Sequence, residues 1–132
     1  MSTSGSVYLF NLRHAKHKLG FIAKYGYTKD MFRRSREHSK IYGPERIMLV
    51  CESKVRVELM REAEWKLRRT LCDWHIGPAM CHRYNIPRGR ELIYVPWSDL
   101  DIVENLYASI EKEFGCEENE IGLQNNIVPF KI

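Results

Sequence analysis

Tyr8, Lys24, Arg34, His38 and Glu64 are the residues of this chain whose types and order bear on chemistry. Cutting a phosphodiester needs a base to activate water, a hard cation held by a carboxylate, and positive groups against the phosphate oxygens. A tyrosine serves as base only where a neighbouring cation favours its phenolate, and Lys24 is the candidate for that cation. Arginine supplies a planar fork matched to phosphate, and Arg34 and His38 stand one helical turn apart. Each residue also has a plainer role: Tyr8 as a sheet aromatic, Lys24 as an edge-strand charge.

Glu64 is the residue that most needs explaining. On a helical wheel it falls at the edge of an apolar stripe of Val57, Met60, Ala63, Leu67 and Leu71. A carboxylate there is costly unless it is paired or holds a cation, so two roles stand open: metal ligand, or partner of a cation such as Arg34. Glu58 and Glu62 point to the solvent side.

The elements that position these residues follow from periodicity and punctuation. Residues 6–12 alternate in the strand period, with Val7 and Leu9 on one face and Tyr8 and Phe10 on the other. Gly20 to Thr28 reads as the returning strand of an antiparallel hairpin, after a basic connection containing Arg13, His14, Lys16, His17 and Lys18. Thr28 or Asp30 caps a helix to about Ile41, and Gly43-Pro44 stops it. Arg46 to Cys51 reads as a third strand and Lys54 to Leu71 as a helix. Cys72 to Arg90 reads as irregular, broken at Gly77-Pro78 and from Pro87 through Gly89. Glu91 to Pro96 reads as a short strand. A last helix is capped by Ser98, with Asp101 in the capping-box position, and carries Val103, Leu106, Tyr107, Ile110 and Phe114 on its core face until Gly115. The expected organisation is one α+β domain over residues 1–115 and an acidic, then apolar, tail over 116–132.

Charge is divided along the chain. Residues 1–90 hold 19 Lys/Arg against 8 Asp/Glu, or +11, and residues 91–132 hold 2 against 9, or −7. A basic body suits a polyanion such as DNA, with Arg13, Lys16, Lys18, Lys29, Arg33 and Arg36 as candidate contacts. No stretch is long and apolar enough for a membrane span, and Met1-Ser2-Thr3-Ser4-Gly5 lacks a signal pattern, so an intracellular protein that is not secreted is expected. Cys51, Cys72, Cys81 and Cys116 are too few for a disulfide scaffold and read as free thiols. Cys72, His75, Cys81 and His82 are zinc-ligand types at a spacing of no common zinc module.

Taken in order, these residues resemble the GIY-YIG endonuclease superfamily. Ser6-Val7-Tyr8 looks like the first motif, with serine where glycine is usual. Lys24-Tyr25-Gly26 looks like the second, with lysine replacing its first tyrosine as in some restriction-enzyme, viral and phage members. Gly-Tyr-Thr-Lys-Asp-Met-Phe-Arg-Arg from Gly26 matches the family's glycine-to-arginine spacing and puts the arginine at Arg34, with Arg33 one position off. His38 and Glu64 fall where homing-type members carry a histidine and where the family carries its metal glutamate. Gly89-Arg90-Glu91-Leu92-Ile93-Tyr94 resembles a terminal strand motif of the viral and phage branch.

The resemblance implies a small three-stranded antiparallel sheet flanked by helices, and a magnesium- or manganese-dependent DNA endonuclease of phage or viral origin acting in a host cell's cytoplasm or nucleus. Tyr8, assisted by Lys24, activates water; Arg34 and His38 stabilise the phosphate; Glu64 holds the metal. No separate DNA-recognition module is visible, so specificity would be low, structure-directed, or supplied by homodimerisation or a partner protein. The alternative on the same fold is a module that binds nucleic acid or protein without cutting.

Overall fold

The computed structural model describes residues 4–12, 19–43, 47–87 and 89–115. Four strands, β1 (Ser4–Asn11), β2 (Gly20–Thr28), β3 (Met48–Arg56) and β4 (Leu92–Pro96), form one antiparallel sheet in the order β3-β1-β2-β4. The expected three-stranded sheet thus gains a fourth member. The short strand expected at Glu91 to Pro96 pairs with Gly20–Lys24 of β2, so it joins the sheet edge rather than standing apart.

The alternation read in β1 sorts side chains between the two faces of the sheet. Val7 and Leu9 enter the larger core with Val55, Ala63, Leu67, Tyr107 and Ile110. Val55 comes from β3, and helices α2 (Met60–Thr70) and α4 (Leu100–Phe114) contribute the other partners, so both helices cover that face. The opposite face carries Tyr8 and Phe10 against His38 of α1 (Met31–Tyr42). A smaller core of Leu12, Ile22, Tyr42, Cys81, Ile86 and Leu92 extends this side under α3 (Pro78–Arg83). Among the described residues no helix is long and apolar enough to cross a membrane.

Local signals place α1 well. Asp30 is its N-cap, its carboxylate accepting from Arg33 N at 3.0 Å, and Gly43 at φ 102° closes it by donating to Ser39 O. Two boundaries differ from expectation for tertiary reasons. Lys54, Val55 and Arg56, read as helix, continue β3 because Ser6, Gly5 and Ser4 offer them a ladder and Val55 is buried in the core. The helix then begins at Met60, after a tight turn over Val57–Leu59. α4 starts after a similar turn over Trp97–Asp99 with no side-chain cap bond, so the Ser98 capping box does not form. The segment read as irregular holds a turn at Cys72–Trp74 and α3. The acidic, then apolar, tail from Cys116 on lies outside the described residues.

Candidate active site

Tyr8 stands opposite Gly26 in the β1–β2 ladder, and its side chain is fully buried. A Cβ added at position 26 would lie 2.5 Å from the Tyr8 hydroxyl oxygen and 2.9 Å from Cζ. Glycine at position 26 therefore has a steric reason: it leaves the strand surface open for the phenol to lie across. Ser6 is also buried, and its hydroxyl donates to Glu52 Oε2 at 2.5 Å.

Two groups from α1 meet the phenol. His38 Nε2 lies 3.0 Å from the Tyr8 hydroxyl, and Arg34 Nη1 donates to it at 3.3 Å. Burial pushes the Tyr8 phenol up to about 12, against the charge and hydrogen bond of Arg34, which pull it down. Burial, with the positive charges of Lys24 and Arg34, holds His38 down at about 4. At neutral pH the pair is thus a protonated phenol beside a neutral imidazole. His38 Nδ1 is buried without a hydrogen-bond partner among the described residues. Arg34 Nε lies 3.0 Å from Glu37 Oε1, close enough for an ion pair though not aligned for a hydrogen bond.

Lys24 is on the same sheet face as Tyr8, opposite Phe10 in the ladder. Its ammonium, however, is held by Glu91 Oε1 at 2.6 Å. The expectation that Lys24 activates Tyr8 is therefore corrected: the cation bonded to the phenol is Arg34. Glu91 takes Lys24 because the segment entering β4 brings a carboxylate alongside β2.

Glu64 is 8% exposed, as its place at the stripe's margin requires. Its partner is not Arg34 but Arg68, one turn along α2, whose Nη2 donates to Glu64 Oε2 at 2.9 Å and to Glu91 Oε2 at 3.0 Å. Burial pushes the Glu91 carboxyl up, but the hydrogen bonds and charges of Lys24 and Arg68 outweigh it and hold it below its ordinary value. Periodicity alone did not single out Arg68 or Glu91. The i,i+4 spacing of Glu64 and Arg68 was a readable signal for the first; the second needed the fold.

Tyr8, Lys24, Gly26, Arg34, His38, Glu64, Arg68 and Glu91 line one open, polar cavity of about 600 Å³. All five residues read as catalytic candidates are among them. A larger groove of about 890 Å³, between β3 and α4, holds none of these groups. Magnesium keeps several waters and takes one or two protein carboxylates together with substrate phosphate, and a carboxylate such as Glu64 on a polar wall fits that demand. Among the described residues no three His, Cys, Asp or Glu side chains are grouped to hold a metal by themselves.

The remaining candidates lie apart. Lys29, Arg33 and Arg36 are exposed at the start and on the outer side of α1; Arg33 stands 3.9 Å from Glu37, and Arg36 stacks over Phe32. Arg13, Lys16 and Lys18 lie outside the described residues. Cys72, His75, Cys81 and His82 do not converge: His75 bonds the Tyr25 hydroxyl, and Cys81 is buried in the smaller core. Cys51, Cys72 and Cys81 are free thiols. Trp65 is 57% exposed, with the Arg69 guanidinium over its ring. No family model, no curated protein and no solved structure matches the chain.

Proposed function

We propose that the chain is a metal-dependent DNA endonuclease of the GIY-YIG type, hydrolysing phosphodiester bonds in the cavity beside Tyr8. One observation carries this reading: five residues singled out by type and order, on β1, β2, α1 and α2, line the same cavity. The basic balance of residues 1–90 favours a polyanionic substrate.

Glu64 would hold a magnesium or manganese ion, which would supply charge stabilisation to the phosphorane. Arg34 grips a phosphate oxygen. Tyr8 gives its proton to His38 Nε2 as its own oxygen takes one from the attacking water, a relay supported by the 3.0 Å approach of the two groups and driven by the phosphate bond formed in the same step. The water oxygen bonds to phosphorus, the bond to the leaving sugar oxygen breaks, and that oxygen takes a proton from solvent. Lys24, paired with Glu91, acts on the field of the site rather than on the phenol. Specificity beyond this cavity falls to a second copy or a partner protein.

Supercoiled plasmid incubated with magnesium or manganese tests the reading. Wild type is expected to nick it, and Glu64→Ala and Tyr8→Phe to lose activity by about 100-fold or more while still binding DNA. Cutting that survives Glu64→Ala sinks the metal assignment. A second reading, a module that binds nucleic acid without cutting, draws on the full burial of Tyr8 and the prior pairing of Glu64. Wild type that binds plasmid and leaves it intact with either ion supports that one.

A further inference from the structure

Trp65 has no task in the hydrolysis just outlined. Of the three tryptophans, Trp74 packs against the larger core, and Trp97 tilts onto Phe21 with ring centroids 4.8 Å apart. Trp65 belongs to neither core and is 57% exposed. Its helix buries Met60, Ala63 and Leu67, and the indole stands off that stripe. A lone exposed aromatic is ordinary on a protein surface, so the groups around this one decide its meaning.

The residues three and four places from Trp65, its neighbours on the helix surface, are Arg61, Glu62, Arg68 and Arg69. Arg68 is taken by Glu64 and Glu91. Arg61 and Arg69 are exposed and, among the described residues, pair with no carboxylate. The Arg69 guanidinium lies over one face of the indole, 4.7 Å from the ring centroid, and the ring's exposure leaves its other face open. The same pairing recurs on α1, the other helix that lines the cavity: Phe32 is 72% exposed, with the Arg36 guanidinium 4.9 Å over its ring.

An open aromatic face between unpaired arginines matches an unpaired nucleobase, which stacks on the ring while the cations take its phosphates. The centre of a protein interface is depleted of charge, whereas Arg61, Glu62 and Arg69 surround this ring, so a polyanion fits better than a protein partner. Bases within a perfect duplex already stack on each other and cannot reach such a platform without being extruded. Trp65 also follows Glu64 directly and stands one turn before Arg68, both of which line the cavity.

We infer that Trp65 is a stacking platform for an unpaired DNA base beside the cavity, with Arg61 and Arg69 taking the flanking phosphates. The preferred ligand is then DNA with a single-stranded segment rather than a continuous duplex. The inference rests on the endonuclease reading for the choice of DNA, but the stack itself requires no cutting.

Anisotropy of labelled DNA in the presence of EDTA tests binding without cleavage, with oligothymidylate as the single strand and a duplex of the same length. Wild type is expected to favour the single strand. Trp65→Ala weakens that binding by about tenfold, the loss of one base stack, and weakens duplex binding by less than about twofold. Oligothymidylate quenches the indole fluorescence of wild type, and the quench vanishes in Trp65→Phe, which keeps an aromatic face and most of the affinity. Thermal melting checks folding, and Trp65→Phe carries the test through fluorescence if Trp65→Ala does not fold. A wild type that favours the duplex, equal losses on both DNA forms, or a quench that persists in Trp65→Phe overturns the inference. Nicking of plasmid with magnesium or manganese is measured on the same proteins. The expected binding pattern without nicking by wild type upholds the platform and sinks the nuclease reading; nicking with single-strand binding unchanged in Trp65→Ala does the reverse.

Discussion

The Tyr8 phenol lies across Gly26, where one methyl group would stand 2.5 Å from its hydroxyl oxygen. The two residues are direct partners in the β1–β2 ladder, so neither strand can shift to relieve a clash without losing register. The ring can move only toward His38 and Phe10, which already pack against it.

Gly26→Ala is accordingly expected to destabilise the fold by about 1–3 kcal/mol, the range for overpacking a well-filled site. In a Tyr8→Phe background the loss shrinks, because the closest atom is removed. Urea denaturation of the four proteins gives the coupling; equal losses in both backgrounds would mean that the phenol is not what Gly26 accommodates.

His38 predicts a pH dependence with a definite sign. Its folded-state value of about 4 lies below the ordinary 6.5, so between those limits the unfolded chain binds more protons than the folded one. Stability is complete above about pH 6.5 and is lost as pH falls toward 4, by on the order of 3 kcal/mol at most. His38→Gln removes this contribution. Denaturation at several pH values in that window is expected to show a steeper fall for wild type than for the variant; matching slopes refute the assignment.

Tyr107 ties the helix layer to the strand that carries the phenol. Its hydroxyl donates to the Tyr8 carbonyl oxygen at 2.7 Å, and its own carbonyl accepts from Ser53 Oγ at 2.5 Å. Tyr107→Phe is expected to cost about 1 kcal/mol, the net worth of a buried neutral hydrogen bond. A melting temperature unchanged from wild type would show that this bond contributes nothing.

Lys29, Arg33 and Arg36 are exposed outside the cavity, so under the proposed reading they would act on DNA affinity and not on chemistry. Each change to alanine is expected to weaken binding uniformly across sequences and to reduce the slope of log affinity against log salt by about 1. Fluorescence anisotropy over a salt series measures this. A slope unmoved by all three substitutions places the DNA on another face.

Much of the architecture was readable along the chain. The period-two pattern of Val7 to Phe10 set which side chains lie on each face of the sheet, and Asp30 and Gly43 marked α1 through contacts within one turn. The stripe from Met60 to Leu71 located α2, and with it the exceptional position of Glu64 at the stripe's margin. Such signals are local: caps, periods and wheel positions involve residues a few places apart, so their physics is present in a short window.

Which partner each charge takes was decided only by the tertiary structure. Lys24 could face Tyr8 from the sequence, yet Glu91 is brought beside it by the pairing of β4 with β2. Glu64 could meet Arg34, yet α2 turns it to Arg68, and the same arginine reaches Glu91. Lys54 to Arg56 could continue a helix, yet β1 offers them a ladder. Ion pairs and strand register depend on groups that only the folded chain brings within a few ångströms. The sequence thus determined which residues can do chemistry and on which elements they ride; the fold decided that Arg34 and His38, rather than Lys24, meet the phenol.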